Sequence, residues 1–237
     1  MIFEDGDVKL GASSKEKDDD QTFYAVHPHG AFCIGWAILY HNPVMRGIRF
    51  CFAPSLYASP MFRLFSRAVN KPGSAARHCM NTYLRNGESS ALPPGGFEEA
   101  TLTSTAVDRV FIKKRYGFVK LCLIHGVQIR PVYCFGEGKL FSNIPGCLNT
   151  RLKLNRYGIP TILTWGSLFF PLLPKRGVKL YIVVGRPLVL PKIVHPNKEE
   201  VNLWHGKYIS ELQRIYDEHK IDAYGAKDGK NANLEVW

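Results

Sequence analysis

The stretch Thr22-Phe23-Tyr24-Ala25-Val26-His27-Pro28-His29-Gly30 decides how this chain reads. Its first five residues are β-rich and have the length of a short buried strand. The run then stops on a proline, which fixes its own φ, and a glycine, which permits a sharp turn. A second run, Ser89-Ser90-Ala91-Leu92, ends in the same way on Pro93-Pro94-Gly95-Gly96, followed by Phe97-Glu98-Glu99-Ala100. Both motifs follow directly on expected strands. They can therefore meet at one sheet edge although about seventy residues separate them.

Outward from these two points the elements alternate. Ala31 to Tyr40 is apolar with the length of a helix, and Ile48 to Ala53 reads as a strand. Ser59 to Val69 and Ser74 to Arg85 read as helices, the second stopped by Asn86-Gly87. Arg109 to Ile112 is a short strand. Gly117 to His125 is a helix with Phe118, Leu121 and Cys122 on one face and Gly126 as its stop. Val127 to Phe135 is a strand interrupted by Pro131, and Val178 to Val184 is a strand of buried type. In the last helix Asn197 and Glu200 have capping-box spacing. Val201, Trp204, Tyr208, Leu212 and Ile215 then form one apolar stripe, read as core packing. Strands alternating with helices predict an α/β fold: a mostly parallel central sheet with flanking helices. Residues 1–21 are expected to be a flexible leader, and residues 22–237 a single domain.

Composition bounds the function. The chain has 237 residues, 31 Lys and Arg against 20 Asp and Glu, and a net charge of +11. With 46% apolar residues it is neither disordered nor dependent on disulfides. The positive charge points to anionic partners. None of the six cysteines lies in C-x-x-C spacing, so they read as reduced and mostly buried thiols. The opening residues are polar, with no signal-peptide pattern. Tyr157 to Pro174 contains 18 uncharged residues, but Pro160, Gly166, Pro171 and Pro174 break it. It is either a buried core segment or an apolar surface that dips into a leaflet.

Three features can carry chemistry. His27-Pro28-His29-Gly30 fits a structural histidine pair, a general base on a stiff turn, or an H-x-H metal site that lacks further ligands nearby. The glycine turn before Glu99 fits an ordinary turn, or a rim of backbone N–H groups and a carboxylate that can hold an oxyanion. Lys113-Lys114-Arg115, with Lys120 inside the next helix, fits a solvated basic run or a phosphate site. No G-x-S-x-G, Walker A, post-strand G-x-G-x-x-G or RNA-binding signature occurs, so serine hydrolases, P-loop enzymes, dinucleotide enzymes and nucleic-acid binders lose support. The remaining set suits direct acyl transfer from a phosphorylated thioester carrier to a lipid alcohol.

An ordered series of segments carries a family resemblance. It runs through Phe23–Gly30, Pro94–Ala100, Phe111-Ile112-Lys113-Lys114-Arg115-Tyr116-Gly117-Phe118-Val119-Lys120-Leu121 and Pro131-Val132-Tyr133-Cys134-Phe135-Gly136-Glu137. It closes with Val184-Gly185-Arg186-Pro187-Leu188, Pro191-Lys192 and His195-Pro196. This set resembles the type-2 diacylglycerol acyltransferases and their monoacylglycerol and wax-ester relatives. The resemblance implies an acyl-CoA-dependent O-acyltransferase that makes triacylglycerol from diacylglycerol at the cytosolic face of the endoplasmic-reticulum membrane or at a lipid-droplet surface. It implies His29 as base, Glu99 as its partner and His27 in support. Gly30, Gly95 and Gly96 serve positioning and the oxyanion, and Lys113, Lys114, Arg115 and Lys120 take the CoA phosphates. No metal or other cofactor is expected. The wider glycerolipid acyltransferases place an Asp close after their His. Here Phe32 and Ile34 stand in the corresponding places, so Glu99 takes that role. The family's N-terminal hydrophobic hairpin has no counterpart before His27, which reads either as a fragment or as a short form that holds the membrane through other surfaces. Membrane contact would fall to Ala31–Tyr40 and Tyr157–Pro174. Acceptors other than diacylglycerol are monoacylglycerol or a long-chain alcohol, and an inactive lipid-binding scaffold would share the fold.

Overall fold

The computed structural model describes residues 1–5, 21–144, 146–157, 161–167 and 170–237. In chain order the elements are β1 (Ile2–Phe3), β2 (Thr22–His27), α1 (Ile34–His41), β3 (Arg49–Phe52), α2 (Pro54–Ala58), α3 (Pro60–Val69), β4 (Lys71–Ser74), α4 (Arg77–Arg85), β5 (Ser90–Leu92) and α5 (Gly96–Leu102). They continue with β6 (Asp108–Val110), α6 (Gly117–His125), β7 (Gln128–Phe135), β8 (Ser142–Asn143), α7 (Leu148–Arg156), β9 (Thr164–Trp165), β10 (Tyr181–Val184), α8 (Lys198–Asn231) and β11 (Leu234–Val236).

Seven strands form one sheet in the order β1-β10-β7-β2-β5-β3-β4. Every neighbouring pair is parallel except β10 against β7. β2 is central, paired with β5 on one side and β7 on the other, so the ends of β2 and β5 lie next to each other. This is the mostly parallel α/β sheet that the alternating pattern predicts.

Alternation along the strands sends side chains to two cores. Phe23, Ile129, Tyr133 and Val183 face α6 and α8, where Phe118, Tyr208, Leu212 and Ile215 are buried. Tyr24, Val26, Phe50, Val132 and Ile182 face α1, whose Trp36, Leu39 and Tyr40 pack beneath them. The capping box at Asn197 forms as its spacing predicts: Asn197 Oδ1 accepts from the Glu200 N–H and Glu200 Oε2 from the Asn197 N–H, each at 2.8 Å. The helix it opens is broken at Gly225, where φ is +84°.

Several expectations change. The helix expected from Ser74 begins only at Arg77, as α4, because Lys71–Ser74 forms the edge strand β4. Pro72 is tolerated because an edge strand leaves one row of N–H positions unpaired. Pro131 does not interrupt β7. It lies just past the last residue paired with β10, and its carbonyl accepts from the Gly185 N–H at 2.8 Å. Within the expected leader, Ile2 and Phe3 pair with β10, and Glu4 is held by Arg214 and His219 of α8. Residues 6–20 lie outside the described residues. In Ala31–Tyr40, Trp36, Leu39 and Tyr40 of α1 are buried on the sheet, whereas Phe32 and Ile38 are exposed. In the Tyr157–Pro174 stretch, residues 158–160 and 168–169 are outside the description. Leu163, Trp165, Phe170, Leu172 and Leu173 are exposed, which favours the surface reading there. Among the described residues no helix is long and apolar enough to cross a membrane. All six cysteines are free; Cys51, Cys122 and Cys134 are buried and Cys147 is exposed.

Candidate active site

His27 is the last residue of β2 and, by the pleat, points to the α8 side along with Phe23 and Ala25. Glu99 lies in α5, which begins at Gly96 after the Pro93–Gly95 turn that ends β5. Both are buried. His27 Nδ1 lies 3.1 Å from Glu99 Oε1 and 3.2 Å from Oε2. On the other side of the ring, Nε2 lies 3.0 Å from the Tyr208 hydroxyl. One tautomer satisfies both contacts: Nδ1–H donates to the carboxylate and Tyr208 O–H donates to Nε2. Burial, with the charge of Glu99 adding to it, pushes the Tyr208 phenol well above its ordinary range, so it keeps the proton it donates.

Glu99 also accepts from the backbone N–H of His29 at 2.6 Å and of Phe111 at 2.8 Å. Three donors surround this buried carboxylate, as a buried acid requires. The expected partnership is therefore redistributed. Glu99 grips the ring of His27 and only the main chain of His29, because both carboxylate oxygens are already engaged. His27 is the imidazole in the hydrogen-bonded pair.

The ring of His29 is half-buried and turns the other way. Its Nδ1 lies 2.9 Å from the Gly30 carbonyl oxygen, which can only accept, so Nδ1 carries the proton. Nε2 is then the basic atom, and no partner is recorded for it among the described residues. Burial holds this imidazole below its ordinary value of 6.5, against the opposing pulls of the Gly30 hydrogen bond and the Glu99 charge. The H-x-H pair is not arranged as a chelate. Both nitrogens of His27 and Nδ1 of His29 are occupied by protein groups.

A second buried carboxylate completes the turn. Glu137, just beyond β7, accepts from the N–H groups of Ile34 at 2.9 Å and Gly35 at 2.7 Å, at the start of α1. Burial raises it to about 7, and these two bonds work in the opposite direction. Gly30 has φ +63°, and a Cβ there would stand 2.3 Å from Glu137 Oε1, so only glycine fits. Gly95 has ordinary helical φ but is constrained by close approach: a Cβ would lie 2.0 Å from Glu99 Oε2.

The basic run divides. Lys113, Lys114 and Lys120 are exposed. Arg115 is an ion-pair partner of Glu98 and also donates to the Gly95 carbonyl at 3.3 Å, with its guanidinium over the Phe111 ring. It braces the glycine turn rather than presenting a free charge. Sequence reasoning missed Tyr208 and Glu137. Tyr208 was hidden in an apolar stripe, where its hydroxyl was the only signal. Glu137 stood in the segment Pro131–Glu137, where an acid directly after a buried strand was the clue.

The chain matches the family described as Diacylglycerol acyltransferase over residues 7–235, and it belongs to that family. It is 29% identical to Diacylglycerol O-acyltransferase 2 of Dictyostelium discoideum, over 97% of this chain and 74% of the relative. It is 30% identical to human 2-acylglycerol O-acyltransferase 3, over 90% of this chain and 68% of the relative. Diacylglycerol O-acyltransferase 1 of Schizosaccharomyces pombe is 26% identical over 90% of this chain and 67% of its own length. No solved structure matches.

Two outcomes follow from the packed carboxylates. Gly95→Ala should displace Glu99 and lower unfolding stability by about 1–3 kcal/mol, the range for disturbing a buried polar group. Gly117→Ala, where a Cβ meets nothing within 4 Å, is the neutral control in the same denaturation series. Glu137, raised from 4.5 to about 7, binds more protons folded than unfolded within that window. Stability should therefore fall as pH rises through it, and Glu137→Gln should flatten that slope in urea titrations below and above the window.

Proposed function

We propose that this chain transfers a fatty acyl group from acyl-CoA to diacylglycerol, with His29 as general base. The observation that carries the proposal is the ring of His29, fixed by the Gly30 carbonyl with Nε2 unengaged, at the carboxyl end of the central strand in a chain of this family. The acceptor hydroxyl attacks the thioester carbon while His29 Nε2 takes its proton. The oxyanion collapses, the C–S bond breaks, and the proton passes to the departing CoA sulfur. The chemistry needs no metal, other cofactor or covalent enzyme intermediate.

The surroundings are consistent with these roles. Glu99 holds the backbone of His29 and contributes its charge through space, so the imidazolium formed in the transition state is offset. The N–H groups at Gly95, Gly96 and the first turn of α5 precede the point where i−4 partners become available, and they are the donors for the oxyanion. The exposed Lys113, Lys114 and Lys120 take the CoA phosphates. Acyl chains lie against the apolar surface of Leu163, Trp165, Leu172 and Leu173, in the leaflet of an endoplasmic-reticulum membrane or on a lipid droplet. Phe32, just past the histidine turn, meets the Phe141 ring edge-on, and a Cβ on Gly166 would lie 2.9 Å from that same ring. These contacts bring the apolar segment up to the mouth of the site. The resemblance to a 2-acylglycerol acyltransferase makes monoacylglycerol the competing acceptor.

The decisive assay is release of labelled triacylglycerol from labelled acyl-CoA and diacylglycerol in detergent micelles. His29→Ala should lose about 100- to 10,000-fold in turnover, the range for a positioned base. Near wild-type turnover would remove His29 from the scheme, and wild-type protein that binds lipid without turnover would be a scaffold. Because burial lowers the pKa of the imidazole and it acts unprotonated, the acid limb of kcat/KM should lie below that of an ordinary imidazole. Faster turnover with monoacylglycerol or a long-chain alcohol would reassign the acceptor. A second expectation concerns the donor. Lys113→Ala with Lys114→Ala should raise KM for acyl-CoA and leave KM for diacylglycerol unchanged; the reverse pattern would place the phosphates elsewhere.

A further inference from the structure

Helix α3 is amphipathic in the wrong sense. Met61, Leu64, Phe65 and Ala68 recur at helical spacing on one face, and that face is turned to solvent: Met61 is 61% exposed, Leu64 65% and Phe65 65%. The opposite face carries Ser66, which is buried, and Arg63, whose guanidinium lies over the Tyr57 ring with Nε buried. The backbone carbonyl of Ser66 accepts from the Tyr40 hydroxyl at 2.5 Å, which fixes the polar side inward. Leu56 of α2 extends the exposed apolar strip. In water a surface helix is stabilised by burying its apolar side, so this orientation needs an apolar phase outside the protein.

Charge identifies that phase. From Gln21 to Gly87 there are seven Lys and Arg residues and no Asp or Glu. At the carboxyl end of α3 a cavity of about 450 Å³ is lined by Arg46, Arg49, Tyr57, Arg67 and Lys71. Glu88 neutralises part of it through Arg49 at 2.7 Å and Lys71 at 2.6 Å. Arg46 and Arg67 have no ion pair among the described residues. Arg49 and Lys71 are the first residues of β3 and β4, which run parallel to β2 and β5. The cavity therefore lies at the opposite end of the strands from the histidine turn and is separate from the candidate active site.

We propose that α2–α3 is the element by which this chain docks on an anionic phospholipid bilayer. Met61, Leu64 and Phe65 enter among the acyl chains, and Arg46 and Arg67 bind lipid phosphates beside them. The proposal rests on the membrane setting of the preceding reading but not on its chemistry. An apolar strip bordered by unpaired cations is the surface that interfacial helices present to anionic leaflets.

Vesicle co-sedimentation of the full chain tests it, with phosphatidylcholine alone against a phosphatidylcholine–phosphatidylserine mixture. Wild-type protein should prefer the mixture, and the preference should shrink with added salt. Leu64→Gln with Phe65→Gln should weaken binding to the mixture by about tenfold or more, since both side chains are exposed and leave the core intact. Arg46→Gln with Arg67→Gln should bring the mixture down to the phosphatidylcholine value. Equal wild-type binding to both vesicles, or undiminished binding by the Leu64/Phe65 variant, would overturn the proposal. So would a dimer in light scattering that the same variant dissociates, because the strip would then belong to a second copy. Acyl transfer in micelles separates the two readings. Loss of transfer with vesicle binding intact would count against the chemistry alone.

Discussion

Everything at the candidate site hangs on one buried carboxylate. Glu99 accepts from the His27 ring, the His29 backbone and the Phe111 backbone. Those three groups belong to the end of β2, the histidine turn and the segment after β6, which are far apart in sequence. A buried acid must find donors, and these are the ones within its reach. Meeting that requirement draws the three segments together, so the geometry of the candidate site follows from the same bonds that satisfy the carboxylate. Gly95 permits the approach, since any side chain there would stand where Glu99 Oε2 is. Arg115 secures the same turn from outside through Glu98 and the Gly95 carbonyl.

The two histidines acquire different work from this arrangement. His27 has both nitrogens committed inside the protein, one to Glu99 and one to Tyr208. It cannot exchange protons with a substrate without breaking a buried bond. His29 has one nitrogen committed to its neighbouring carbonyl, which selects the tautomer, and the other uncommitted. A chain of Tyr208, His27 and Glu99 thus serves as a rigid post that sets the main chain of His29. Glu137 provides a second post from the α1 side, meeting the same turn at Gly30.

Much of this was legible in the residues. Strand ends at His27 and Leu92 could be read because both stop on proline and glycine, and their adjacency followed from the parallel sheet. The capping box at Asn197 is local, and local rules sufficed. What could not be read was which atom meets which. His29 and His27 are equivalent in a linear reading, and only the pleat, which turns His27 inward, separates them. Tyr208 was indistinguishable from its apolar neighbours because the stripe records burial and not what a hydroxyl meets there. Arg115 looked like its lysine neighbours, yet its reach to Glu98 depends on the turn seventeen residues earlier. The strand Lys71–Ser74 gave no signal because edge strands tolerate Pro and Gly, the residues that otherwise argue against a strand.

The inward post and the outward strip answer one physical problem from opposite sides. Acyl transfer to a lipid alcohol needs a base shielded from bulk water and substrates that never leave an apolar phase. Burial of Glu99, His27 and Tyr208 meets the first need, and burial of His29 itself lowers the basicity of its imidazole against the opposing pull of the Glu99 charge. The second need is met by apolar side chains left exposed: Phe32, Trp165, Leu172 and Leu173 beside the turn, and Met61, Leu64 and Phe65 along α3. A chain that buried these residues in its own core would gain stability. Their exposure, in a molecule that otherwise fills two well-packed cores, fits an interface whose other half is lipid.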